Sequence, residues 1–491
     1  MKFILITAFL FSCLSLCAQD FQLLNGNILM AKNGKVVHRL SYGYADFPSR
    51  TPNNIETPYN LASISKTFTA TAILQLMEKG KLKLDDPFQQ YFPEFPFPDI
   101  TIKHLLSHTS GLPDLELFEP LIRQYPDTIV SSHILIGQLI ASHCIPAFKP
   151  GDEFRYCNNG FVLLSLLVEK ISQQSFEEYL QDHIFRPAHM YASFLYDPTG
   201  NKFPAQVSKH VYESFAIDTL SRVRDLKRYR YTDYNNDAAT GASNIITTVQ
   251  DMLLFDKAFF GFKLLKPATV QLAITPVKLN NGTYHTEKVM DTMEGEGEGS
   301  YGLGWELFDQ PAYGKGVGHG GFKFGLATFY YHNLDNNQTI IAFDNTAAPS
   351  FGAVVTNAQR IMNDQEPITR DYKKSLARIY VTTLIKEGTD AAATQLTLLQ
   401  TDTAHYYLSE LEMNKAGYEQ LYDYYRIDAA LEIFKLNCLL FPRSFNTYDS
   451  YGEALNKAGK KKEAIALYER SILINPGNEG GIKELSKIKS R

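Results

Sequence analysis

The chain has 491 residues, enough for two or three domains at about 150 residues each. Hydrophobic residues make up 44% and charged residues 21%, a balance that supports packed cores and excludes wholesale disorder. Lys and Arg total 48 against 53 Asp and Glu, a formal charge of -5 with no basic block, which argues against a nucleic-acid-binding role.

In chain order, Lys2 precedes an apolar run from Phe3 to Leu16, and Cys17-Ala18-Gln19-Asp20 follows. This pattern predicts a secretory signal peptide over residues 1–18, cleaved after Ala18. The run is short of the ~20 apolar residues that a membrane span needs. Lipoprotein anchoring at Cys17 is the lesser alternative, because Leu16 is bulky where Gly or Ala is usual. The expectation is an exported protein, periplasmic or extracellular, with no transmembrane segment in the mature chain. Cleavage would leave Cys144, Cys157 and Cys438. An odd number suggests small buried thiols rather than a disulfide framework, with a Cys144–Cys157 bridge as the alternative.

Ile28 to Val37 reads as a hairpin turning at Asn33-Gly34, and Ser63 to Lys79 as a helix closed by Gly80. Residues 81–270 mix helical segments with Pro- and Gly-marked loops. Tyr301–Leu307, Phe324–His332 and Gln338–Phe343 read as strands, with Asn333–Asn337 a turn, and Glu294–Gly299 as a mobile solvated loop. An opening hairpin, a helical middle and closing strands suggest an α+β sheet built from both ends of residues 19–365. Residues 366–405 read as a helical linker.

From 406 to 491 an internal repeat appears. Ala430, Phe434 and Pro442 recur as Ala464, Tyr468 and Pro476, each 34 residues later, and Leu421 maps to Leu455. That period with Ala, an aromatic and Pro resembles tetratricopeptide repeats. The tail is a candidate surface for a protein partner, or a support for the preceding domain.

Chemistry concentrates in three places. In Ser63-Ile64-Ser65-Lys66 the first and last residues share a helical face, so a lysine amine can take the proton of a serine nucleophile. In Tyr156-Cys157-Asn158 the phenol can act as base and then acid, and the Asn158 amide can orient Lys66 or bind a substrate carbonyl. In His319-Gly320-Gly321-Phe322 the glycines let a substrate lie along a strand edge, where the Phe322 and Ser63 N–H groups form an oxyanion hole.

Together, S-x-x-K, Y-x-N and H-x-G in this order resemble the serine β-lactamase and penicillin-binding-protein superfamily, nearest its class C-like esterases and D-peptidases. The stretches 104–112, 154–167, 241–252 and 301–305 are similar too. The resemblance covers about residues 25–365. It implies an antiparallel five-stranded sheet flanked by helices, a helical subdomain, and acyl-enzyme chemistry on Ser63. Catalytic roles would fall to Ser63, Lys66 and Tyr156, the oxyanion hole to Ser63 and Phe322, and substrate contacts to Asn158, His319 and Gly321. Two departures stand out. His319 occupies the place where many relatives carry the Lys of K-T-G, a fixed cation for a substrate carboxylate, which favours an esterase or amidase over a true β-lactamase. The chain also leaves only residues 19–25 for the helix that usually precedes the hairpin.

No cofactor is expected. Gly316-x-Gly318-x-x-Gly321 and Gly297-x-Gly299-x-x-Gly302 match the dinucleotide fingerprint without opening a helix after a strand. His104 and His108 have zinc-compatible spacing but no third ligand, so no metal is expected and packing and hydrogen bonding around the Ser110-Gly111 turn is the better reading. The substrate is expected to be a small-molecule or peptide-like ester or amide. The alternatives are a D-alanyl-D-alanine carboxypeptidase, D-aminopeptidase or weak β-lactamase using the same residues, and an inactive scaffold whose tail binds a partner.

Overall fold

The computed structural model describes residues 24–196, 210–211, 221–223, 239–288, 297–347, 350–368 and 373–490. The expected leader, most of the 200–240 loop and Glu294–Glu296 lie outside these residues. The backbone divides into two units, one up to Ile368 and one from residue 373 onward.

In the first unit, Asn33 and Gly34 take φ of 51° and 68°. These positive values are what a two-residue hairpin turn requires, and they return strand β1 (Gly26–Lys32) as β2 (Lys35–Ser41). Helix α1 (Ser65–Glu78) is buried from Ser65 to Leu76. A helix enclosed on every side must satisfy its polar side chains internally. The hydroxyls of Thr67, Thr69 and Thr71 accordingly donate to the carbonyls of Ile64, Gly241 and Thr67 at 2.7–2.8 Å. Helices α2 (Asn158–Ser172) and α3 (Val249–Phe260) join it in the larger core.

The chain then adds β3 (Glu287–Lys288), β4 (Glu298–Tyr301), β5 (Glu306–Gln310), β6 (Gly314–Lys323), β7 (Leu326–Asn333) and β8 (Gln338–Asp344). All pair antiparallel in the order β3-β4-β5-β6-β7-β8-β1-β2, so both chain ends of the unit meet in one sheet. The antiparallel sheet is eight strands wide rather than five, because β5 and then the short strands β4 and β3 extend it beyond β6.

Two local readings are corrected. Tyr301–Leu307 is not one strand: the chain turns between β4 and β5, where Gly304 (φ 80°) packs so close to α1 that a Cβ would lie 2.5 Å from Ala70 Cβ. The glycine-rich segment from 314, absent from the strands read above, is itself a ten-residue strand, β6, and the pattern Gly316 to Gly321 lies wholly inside it. The second face of the sheet is covered by α4 (Phe351–Met362), whose Val354, Val355 and Ala358 pack on Ile28, Met30, Ile340 and Ala342. Cys144, Cys157 and Cys438 are free thiols, with Cys157 buried.

The second unit is helical: α5 (Leu376–Glu387), α6 (Thr389–Leu399), α7 (Glu410–Tyr418), α8 (Ile427–Leu440), α9 (Phe445–Lys457), α10 (Lys461–Ile474) and α11 (Glu479–Lys489). Helices α8 and α10 start and stop 34 residues apart. The offset pairs Ala430/Ala464, Phe434/Tyr468 and Leu421/Leu455 are all buried in one cluster.

Helix α3 is pinned to the sheet by one buried carboxylate. Asp256 accepts hydrogen bonds from Tyr330 Oη (2.8 Å) and His332 Nδ1 (2.9 Å) on β7 and from Thr339 Oγ1 (2.9 Å) on β8. Removing it strands three buried donors, so Asp256→Ala should lower the unfolding free energy by about 3–5 kcal/mol. Urea titration checks this, and a loss below about 1 kcal/mol would show that the carboxylate is not the anchor.

Candidate active site

Ser63 lies in the 3-10 turn Ala62–Ile64 that leads into α1. Ala62, immediately before it, stands at φ 47°, a left-handed conformation costing a residue with a Cβ roughly 1–2 kcal/mol. Asn60 Oδ1 accepts the Ala62 N–H at 2.8 Å, and Leu61 N–H donates to Ile245 O at 2.8 Å. These bonds hold the strained turn in place. Ser65, the other serine of the motif, is occupied structurally: its hydroxyl accepts the Ile245 N–H at 3.2 Å.

Lys66, the second residue of α1, is fully buried. Its Nζ lies 3.2 Å from Ser63 Oγ, 2.8 Å from Asn158 Oδ1 and 2.9 Å from Ala242 O. Asn158, the first residue of α2, cannot turn its amide round. Its Nδ2 donates to Asp114 Oδ2 (2.9 Å), while Asp114 Oδ1 accepts the backbone N–H groups of Asn158 (2.7 Å) and Asn159 (3.3 Å). Burial pulls the Lys66 pKa down to about 7, with Lys323 adding to the effect and Asp114 and Glu306 opposing it. Burial likewise raises the Asp114 carboxyl, against the Asn158 hydrogen bonds.

Neutral Lys66 has two N–H bonds and one lone pair. Asn158 Oδ1 and Ala242 O can only accept, so they take the two hydrogens and leave the lone pair facing the Ser63 hydroxyl.

Tyr156 packs beside this amine, its ring centroid 4.8 Å from Lys66 Nζ. Burial raises its pKa well above the ordinary phenol value. Ser63 is close enough to draw that pKa down, but not in ordinary hydrogen-bond geometry. Behind Tyr156, the His108 ring stacks obliquely at 4.1 Å and opens a hydrogen-bonded chain whose proton positions follow from its ends. Cys157 N–H donates to His108 Nδ1 (3.0 Å), so His108 carries its proton on Nε2 and donates to Tyr301 Oη (3.1 Å). Tyr301 donates to His319 Nε2 (3.0 Å), and His319 Nδ1 donates to Gly320 O (2.6 Å). Each step is the only one that the fixed donor and acceptor at either end permit. Burial, reinforced by Lys66, drives His319 down to about 3 and His108 well below its usual value. Both rings are neutral.

Strand β6 completes the floor. At Gly321 a Cβ would lie 2.5 Å from Leu61 O, so glycine lets the strand press against the turn that carries Ser63. Phe322 follows with an exposed side chain. Glu306, at the start of β5, reaches across: its Oε2 accepts Gly320 N–H (2.9 Å), and its Oε1 lies 3.4 Å from His319 Nδ1. Burial, and then Glu287, raises its pKa to about 7.

The structure thus brings Ser63, Lys66, Tyr156, Asn158 and His319 together, with Gly321 and Phe322 on the adjoining strand. Sequence reasoning missed Asp114, Ala242, Tyr301 and Glu306, and read His108 as packing and hydrogen bonding around a turn without placing it at the site. His108 lies inside the 104–112 stretch already singled out and Asp114 two residues beyond it, but nothing in their spacing shows which distant group each meets. His104 caps its own short helix with Thr101. Among the described residues no cluster of three or more His, Cys, Asp or Glu is arranged to hold a metal ion.

Comparison with known proteins agrees with this fold. The family described as Beta-lactamase matches residues 18–366. A penicillin-binding protein of Bacillus subtilis (strain 168) is 30% identical over 325 residues, covering 65% of this chain and 68% of the relative. The crystal structure of a penicillin-binding protein from Bacillus halodurans superposes with a TM-score of 0.58 at 25% identity, covering 71% of this chain and 98% of that one. The D-amino acid amidase of Ochrobactrum anthropi SV3 shares the fold, with a TM-score of 0.54 at 19% identity over 69% of this chain and 92% of its own.

A His319 pKa of about 3, against 6.5 for free histidine, means that the ring stays neutral throughout the physiological range. Its imidazole NMR resonances should not titrate between about pH 8 and pH 5. A titration midpoint near 6 would show that the ring carries charge at this corner of the site.

Proposed function

The chain belongs to the β-lactamase family, and on that premise we propose that it is a serine hydrolase that cleaves an ester or amide through an acyl-enzyme on Ser63. The observation that supports this best is the Lys66 lone pair: two carbonyl acceptors claim its hydrogens, and the amine is aimed at Ser63 Oγ with a pKa near 7.

In this reading Lys66 Nζ takes the Ser63 proton as Oγ bonds to the substrate carbonyl carbon. The carbonyl oxygen, now negative, is held by the backbone N–H groups of Ser63 and Phe322. As the tetrahedral intermediate collapses, Tyr156 gives its proton to the leaving oxygen or nitrogen and is reprotonated by the Lys66 ammonium. The raised Tyr156 pKa suits a donor better than a resting phenolate, so the base assignment goes to Lys66. Water then attacks the acyl-enzyme and gives one proton to Lys66, and Ser63 recovers it as the acid departs. Asn158 and Asp114 position the amine, and neutral His319 shapes the pocket without offering a charge. An export signal at residues 1–18 would place this chemistry outside the cytoplasm. The amidase and penicillin-binding relatives make D-amino-acid amides and D-alanyl peptides natural substrates to try beside simple esters.

Ser63→Ala should abolish covalent labelling by a fluorophosphonate probe, whereas Ser65→Ala should keep most of it. Equal labelling of wild type and Ser63→Ala would move the nucleophile elsewhere.

Lys66→Ala should lower kcat by at least about a hundredfold, the scale of lost general-base assistance. Because Lys66 acts as a free amine, kcat/KM on an uncharged ester should fall about tenfold per pH unit below about 7 and level off above it. Asp114 raises the Lys66 pKa, so Asp114→Asn should shift that acid limb to lower pH. A limb that stays put or moves upward contradicts the assigned coupling.

A further inference from the structure

Glu306 is a carboxylate that the proposed chemistry leaves without a task. It retains 30% side-chain exposure beside a histidine that is 1% exposed, so it faces the open part of the site. Its partners are a backbone N–H and a neutral imidazole. Among the described residues no Lys or Arg makes an ion pair with it, and the nearby Glu287 adds to the negative potential. A partly buried carboxylate that lacks a cation is costly, and a positively charged ligand group would offset that cost.

Its place along the strand says where such a group would sit. Strand β5 begins at Glu306, whose register partner is Gly318, so the edge of β6 beyond Gly318 has no strand beside it. Gly320 N–H points to this edge, since Glu306 accepts it. Backbone groups two residues apart point the same way, so Phe322 N–H faces the same edge about 7 Å further on. A carbonyl oxygen held at Phe322 therefore has the Glu306 carboxylate about 7 Å away, in the direction of Gly320. Lys323 lies at the other end, three residues past Gly320 or about 10 Å by strand rise, with its Nζ bonded to Asn244 Oδ1 at 2.7 Å.

We propose that Glu306 selects substrates with a positively charged group on the portion running from the scissile carbonyl toward Gly320, and disfavours a free carboxylate there. The inference rests on the hydrolase reading and narrows it. It sets this site apart from one that reads a terminal carboxylate through a fixed cation, because both groups at this corner, Glu306 and neutral His319, fail to attract an anion.

The test uses six matched aryl esters on the full-length protein at pH 8 and low salt. Three carry an ammonium, a neutral isostere or a carboxylate on the acyl part, and three carry the same groups on the leaving part. In at least one series kcat/KM should run ammonium, neutral, carboxylate over a span of at least about tenfold, and in Glu306→Gln the span should shrink to about twofold. Glutamine can still accept Gly320 N–H, so the variant removes charge while keeping the hydrogen bond. Raising the salt to 0.5 M should compress the wild-type span as well, which decides the question even if the variant does not fold. A flat or reversed order in both wild-type series overturns the proposal alone, as does a span that the substitution leaves intact. Absence of Ser63-dependent turnover on every ester overturns the hydrolase reading and this inference with it.

Discussion

An amine with no access to water cannot keep its charge cheaply, and the catalytic corner is organised around that constraint. Lys66 is enclosed on all sides, and burial brings its pKa to about 7. Two acceptors then define which way the lone pair points. Asn158 is one of them, and its amide is oriented in turn by a hydrogen bond to Asp114, itself held by the backbone N–H groups of Asn158 and Asn159. The other is the backbone carbonyl of Ala242, from a segment that Thr69 and Ser65 also tie to α1. Loss of any one of these would leave the amine buried but not aimed.

The same logic of fixed donors and acceptors governs the other side of the site. Cys157 N–H at one end and Gly320 O at the other dictate every proton between them. The chain through His108, Tyr301 and His319 is therefore fully satisfied while carrying no charge. It supports Tyr156 from behind and joins the loop after residue 104, the end of β4 and the edge of β6. This hydrogen-bonded chain places no charge of its own beside Glu306 on that edge.

Close approach supplies the remaining geometry. Ser63 presents its hydroxyl from a turn entered through a left-handed Ala62, and β6 can lie against that turn because Gly321 has no side chain. The sheet is kept in register with the helices by the buried Asp256 cluster and by the aromatic packing of Trp305 on Phe259, with ring centroids 4.5 Å apart. These contacts lie on the same face of the sheet as His319, whose register partner on β7 is Tyr330.

Local chemistry was legible from the residues alone. The Asn33-Gly34 hairpin, the helix after Ser63, the meeting of Ser63 with Lys66, and the place of β8 all depend on interactions within a few positions of the chain. Dihedral preference and helical or strand periodicity encode those directly. The readings that needed correction involved glycine. Tyr301–Leu307 breaks at Gly304 because of Ala70, and β6 is a strand despite its glycines because β7 pairs with it from Gly316 to Lys323 and β5 from Gly314 to Gly318. Lys66 meets Ala242 across 176 positions, and Glu306 meets Gly320 across 14. No propensity or spacing rule encodes such meetings. The sequence determined which groups could do chemistry and which short elements would carry them. Only tertiary packing decided which of them are dry, which are neutral, and which way each proton points, because burial and long-range hydrogen-bond partners exist only once the chain has closed on itself.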